Sequence, residues 1–231
     1  MNYSYLDKNI GEVRQRIADA ARACGRDSAS VTLVAAVKYA DTDEINYLCK
    51  NLGVVAIGEN RVQQLLEHWE KLDANGVSVQ FIGSLQTNKV KYIIDKVDLI
   101  HSLDSERLAA EIDKQAKKAS RIARVLVEIN SGNEESKGGI DADEAELFCR
   151  SLAKYENIEL CGFMTMAPRC ENKKDYYDYF NKVKSLSDRI WHEVLRKDGE
   201  PIISMGMSES FEIAIECGAT MVRVGRQLFT K

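Results

Sequence analysis

Eight short apolar runs, each separated from the next by a stretch of mostly helical spacing, constrain this chain more than any other feature. The runs fall at 31–37 (VTLVAAV), 54–57, 79–82, 97–100, 123–129, 158–164, 201–204 and 220–224. Helix-like segments lie at 42–51, 60–73, 86–95, 104–119, 141–154, 173–196 and 209–217. Such alternation builds parallel βαβ units. Short strands rich in branched residues suit a closed barrel, so a single-domain (β/α)8 barrel is expected. An open doubly wound sheet has the same spacing and is the runner-up. An amphipathic segment, 7–24, precedes the first strand, with Ile10, Val13, Ile17, Ala20 and Ala21 on one face. This extra N-terminal helix, within residues 1–25, is expected to pack on the barrel and cover its floor. Asp41 with Glu44 and Asp141 with Glu144 read as capping-box helix starts. Only two prolines occur, Pro168 and Pro201, and composition does not change along the chain. One domain spanning 1–231 follows.

Composition removes several function classes. A net charge of −4 gives no electrostatic case for nucleic acid or an anionic membrane. No apolar run approaches a membrane span, and the N-terminus lacks a signal-peptide core. The six cysteines form no CxxC pair and fit no zinc spacing, which suggests a reducing, cytoplasmic setting. Three scattered histidines, His68, His101 and His192, make no metal site.

In a barrel, chemistry gathers at the C-terminal strand ends. Those ends read Lys38; Glu59 and Asn60; Ser84; His101 and Ser102; Asn130; Thr165; Ser204; Arg223 and Gly225. Lys38 ends an apolar run. It is either a structural ammonium paired with a carboxylate or a partly desolvated amine that attacks a carbonyl. Across the mouth, SMGMSES (204–210) and VRVG (222–225) follow the seventh and eighth strands, where barrels often bind phosphate. There Ser208 stands near a helix start, with Arg223 and Gly225 beside it; the plainer reading is a glycine turn with a serine cap. A lysine for an aldehyde and a loop for a phosphate together describe pyridoxal 5′-phosphate (PLP).

The motifs AAVKYA, IGENRVQQLLEH, FIGSLQTNK, IHSLD, VLVEINSGNEESKGG, GFMTMAP and SMGMSESFEIAIECGATMVRVG resemble those of the pyridoxal-phosphate homeostasis proteins. This is the alanine-racemase N-terminal-domain-like family, and the likeness runs from about residue 7 to 229. The resemblance implies a fold-type III barrel that holds PLP as an internal aldimine on Lys38. It places phosphate-binding residues near Ser208, Arg223 and Gly225, with Ser204 and Met207 close by, and Asn60 near the ring. It leaves open whether Arg223 serves ring or phosphate. The family usually reads Ser-Lys-Thr around the lysine and a histidine before Phe-Ile-Gly; here stand Val37-Lys38-Tyr39 and Gln80.

Racemisation needs a base on each face of the substrate carbanion. The chain ends at Lys231, near the eighth strand, so no following domain is expected to supply a second base. Tyr39 neighbours the lysine and is expected to point elsewhere. The expectation is therefore a cytoplasmic, monomeric PLP carrier in vitamin B6 homeostasis, with little or no turnover. It supplies or buffers the cofactor for PLP-dependent apo-enzymes. A weak amino-acid racemase is the alternative, and a Schiff-base aldolase without PLP a further one. His101 reads equally as a ligand contact or as an ordering hydrogen bond with Ser102 or Asp104. The loop NSGNEESKGG, with Asn130, Ser131 and Lys137, reads as a lid or a connection.

Overall fold

The computed structural model describes residues 3–73, 75–130 and 138–231; Ser131 and Lys137 lie outside them. The chain runs α1 (Ser4–Ala23), β1 (Thr32–Ala36), α2 (Thr42–Asn51), β2 (Ala56–Glu59), α3 (Val62–Trp69), β3 (Ser78–Phe81), β4 (Leu99–Leu103) and α4 (Glu106–Lys118). It continues β5 (Ala123–Asn130), β6 (Ile140–Asp141), α5 (Ala145–Ser151), β7 (Ile158–Met164), α6 (Lys173–Asp188), β8 (Ile202–Ser204), α7 (Phe211–Glu216), β9 (Met221–Val224) and α8 (Arg226–Phe229). The segment expected as a helix at 86–95 is a 3-10 turn over Thr87–Tyr92, and α6 continues as a π-helical stretch, Arg189–Val194.

The strand order is β4-β3-β2-β1-β9-β8-β7-β5, and β4 pairs with β5, so eight parallel strands close on themselves. That one pairing decides barrel over open sheet. The two-residue β6 only extends the top of β5, pairing with Ile129 and Asn130. Alternation sorts each strand between two cores. Outward residues, among them Ala35, Ile57, Phe81, Val125 and Phe163, pack under the helices. Val34, Ala36, Ala56, Leu99, Leu126, Met164 and Met221 fill the barrel interior.

Two residues further along, the inward positions turn polar. Leu99 is succeeded by His101, Leu126 by Glu128, Ile202 by Ser204 and Met221 by Arg223. Each of these four polar residues is buried. The period of two therefore carries one apolar layer at the floor and one polar layer beneath the mouth.

Two expectations need correction. The helix α1 does not lie under the floor. It runs in the outer layer between α2 and the α7–α8 pair. Asn9 Nδ2 donates to Leu228 O and Thr230 O, Arg16 pairs with Glu212, and Tyr47 Oη donates to Asp7. Since α8 is only four residues long, the apolar face of α1 fills the gap it leaves. The second correction concerns Asp141. The Asp41–Glu44 capping box forms as expected. Asp141 instead sits in β6, where its backbone carbonyl accepts from Glu144 N–H, and α5 starts without a side-chain cap.

Candidate functional site

At the C-terminal mouth of the barrel lies a cavity of about 330 Å³ lined by Lys38, Asn60, Met207, Ser208, Arg223 and Gly225. Small-molecule sites usually span about 300–1,000 Å³. Six of the seven residues singled out in the sequence thus meet on one surface. The seventh, Ser204, is fully buried below, where its Oγ accepts from Arg223 Nη1 at 2.6 Å. A larger cleft, about 580 Å³, opens at the opposite face between α1 and the starts of β1 and β2. Its one cationic side chain, Arg14, is already bonded to Gly53 O at 2.8 Å, so volume alone does not select it.

Lys38 stands two residues past β1 and is exposed, so the apolar run before it does not desolvate it. The ring of Tyr39 lies beside it, with Nζ 4.9 Å from the ring centroid. Tyr39 therefore lines the cavity, contrary to expectation. Asn60 follows β2, and its Oδ1 is a buried acceptor without a protein partner among the described residues. Glu59, one residue earlier, points the other way and bonds His68 of α3 at 2.7 Å.

The loop after β8 is bound to β9: Met205 N–H donates to Met221 O, and Arg223 N–H donates to Gly206 O. Gly206 has φ +90°, and a Cβ there would meet Phe211 Cα at 2.9 Å. Only glycine lets the loop turn this tightly against α7. Gln227 Nε2 then reaches Ser208 O at 2.9 Å, which holds Ser208 beside the start of α8.

The buried end of the site is electrostatically uneven. Burial lowers the Arg223 pKa to about 10, while Glu128 works to raise it. The guanidinium therefore keeps its charge at neutral pH. Burial pushes the Glu128 carboxyl up to about 7; Asp104 adds to the rise and Arg223 opposes it. A carboxyl with a raised folded pKa holds its proton longer in the folded state. Stability should then fall as pH climbs from about 4.5 through 7. Between pH 5 and 8, denaturant melts should show wild type losing about 2 kcal/mol relative to Glu128→Gln.

His101 was legible only as a strand-end residue. It bonds neither Ser102 nor Asp104 but Ser204 and Gln80. The rim residues Met166, Arg169, Tyr176 and Arg226 were not read as site residues. Their signal was position alone: Met166 and Arg169 fall in the loop after β7, Tyr176 in the first turn of α6, and Arg226 opens α8 just after β9.

Comparison with known proteins shows the family and the fold. The family model for the alanine racemase N-terminal domain matches residues 2–230. A pyridoxal phosphate homeostasis protein of Aquifex aeolicus is 40% identical over 222 residues, covering 96% of each chain. A crystal structure of an unknown protein from Bifidobacterium adolescentis is 31% identical with a TM-score of 0.91, covering 98% of this chain and 95% of the other. The structure of PipY from Synechococcus elongatus with PLP bound is 27% identical with a TM-score of 0.78, covering 87% of this chain and 93% of PipY. Matched by the family model over residues 2–230, this chain belongs to the alanine racemase N-terminal domain family.

Proposed function

We propose that this chain binds PLP at the mouth of its barrel and acts in PLP homeostasis, as its relatives are named to do. One observation carries the reading: Lys38, Asn60, Ser208, Arg223 and Gly225 line a single cavity. The residues fit the cofactor. The buried Asn60 Oδ1 lacks a donor among the described residues, and a ring hydroxyl would be able to supply one. Arg223 places fixed positive charge at the inner end, and the Ser208 and Gly225 loops offer the phosphate a backbone-lined wall.

When bound, PLP supplies an aldehyde that an amine captures and a ring that takes up electrons. Lys38 would hold the group through Nζ, and the ring of Tyr39 lies beside that nitrogen. Glu209 lines the cavity but is paired with Arg226 at 3.1 Å. Tyr39 lies on the same strand end as Lys38 rather than across from it. This supports a carrier with little turnover over a racemase. The protein acts as a monomer that supplies PLP to apo-enzymes. No helix among the described residues is long and apolar enough to cross a membrane.

Titration of the purified protein with PLP tests the reading. Uptake of one equivalent with a band near ~420 nm is expected, the band of imines of this cofactor as a class. Borohydride should then fix the label on the peptide containing Lys38. A protein that stays colourless in excess PLP would refute the reading, and steady conversion of L- to D-alanine would favour the racemase.

A further inference from the structure

A chain of buried hydrogen bonds crosses the barrel beneath the cavity. Arg223 donates from Nη1 to Ser204 Oγ (2.6 Å) and from Nη2 to Thr165 O (2.9 Å). His101 Nδ1 lies 3.1 Å from Ser204 Oγ, and its Nε2 lies 2.8 Å from Gln80 Oε1. Gln80 Nε2 in turn donates to Ser78 Oγ at 3.2 Å. His101 and Ser204 have no exposed surface, and Gln80 and Arg223 are nearly as buried.

The chemistry of the donors sets one direction. The Gln80 amide oxygen only accepts, so His101 Nε2 carries the proton. His101 Nδ1 is then an acceptor. Ser204 Oγ already accepts from Arg223, and its own single proton goes to Nδ1. With Gln80 turned over, Nδ1 would carry the proton instead, and the Ser204 hydroxyl would have no acceptor among the described residues. Leaving a buried donor unpaired is costly. Burial first, and the charge of Arg223 second, hold the His101 pKa well below its ordinary value, so the ring stays neutral.

We propose that His101 is a positioning residue for the cavity: it takes the Ser204 hydroxyl proton, turns the Ser204 lone pairs to Arg223, and so fixes the guanidinium before any ligand arrives. With both Nη atoms anchored, Arg223 keeps further N–H groups that the protein does not use in these bonds, and the residue lines the cavity. A guanidinium that needs no reordering binds its ligand with less entropic cost. This inference rests on the reading of the cavity as a PLP site.

The tautomer is testable without ligand. Long-range ¹H–¹⁵N correlation on the ligand-free protein should show His101 as the neutral Nε2–H form throughout pH 6 to 8. His101→Leu should weaken PLP binding by about tenfold or more, the effect of disturbing a hydrogen bond to a charged group. It should also shift the absorbance band, with the label still on Lys38. His101→Asn restores an acceptor toward Ser204 and should recover most of the affinity and the band. Loss of packing alone would not separate these two variants. Should the leucine variant fail to fold, Gln80→Leu leaves Ser204 and Arg223 intact; it should populate Nδ1–H and weaken PLP binding. An Nδ1–H tautomer in wild type, or a folded His101→Leu protein with unchanged affinity and band, would overturn the proposal. If wild type takes up no PLP, the site reading fails, and the ligand-free tautomer still decides the relay.

Discussion

Lys38→Ala should abolish the borohydride-stable adduct and lower PLP affinity on the order of 10²-fold or more, the equivalent of about 2.7 kcal/mol of binding free energy. The argument rests on what remains. Arg223, Asn60 and the loops around Ser208 and Gly225 still line the cavity in the variant, so reversible binding persists. What disappears is the only lysine on that lining among the described residues, and with it the covalent hold. The fold should hardly notice. Lys38 is exposed and past the end of its strand, and surface substitutions of that kind stay within about 0.5 kcal/mol. The melting temperature should move by no more than about 2 °C. Equilibrium dialysis and peptide mapping after reduction give both numbers. A stable adduct on another lysine in the variant, at wild-type yield, would sink the assignment of Lys38.

Gly83→Ala should cost about 3 kcal/mol, the upper part of the usual range for overpacking. The melting temperature should drop by about 6–12 °C for a chain of this size. Gly83 follows β3 and faces the segment that carries Asn60. A Cβ there would lie 2.1 Å from Asn60 O, 2.8 Å from its carbonyl carbon and 3.0 Å from its Cα. These are backbone atoms, so no rotamer change relieves the contact. Either the end of β3 or the Asn60 segment must move. PLP affinity should fall together with stability, because Asn60 lines the cavity. Ser84→Ala, one residue on and exposed, is the control and should change stability by less than about 0.5 kcal/mol. Equal melting temperatures for Gly83→Ala and wild type would show that the two backbone segments are not in contact.

Both effects depend on how the mouth is assembled, and the sequence exposed only part of that. Lys38, Asn60, Met207, Ser208, Arg223 and Gly225 were legible because polar residues at the ends of apolar runs stand out, and because the motifs around them are specific. Met166, Arg169 and Tyr176 were not. They sit in and after the long loop behind β7, where no periodicity says which side chain turns inward. Ser204 shows the same limit. It stands at a strand end like the others, yet it lies under the cavity wall and holds Arg223. The exposure of Lys38 was not legible for a related reason: its apolar run belongs to β1, which ends two residues earlier.

By itself the sequence determined the eight strands, their parallel sense and the level at which polarity begins, since each of these follows from local patterns of period 2 or 3.6. It left open barrel or open sheet, the place of α1, and the partners of His101. Those are long-range matters. Closure rests on the pairing of β4 with β5, α1 packs against helices some two hundred residues away in the chain, and His101 meets a serine 103 residues further along it. Contacts at such separations leave no local periodicity. They are settled only when the buried apolar faces and the buried polar groups are satisfied together, once the barrel has closed.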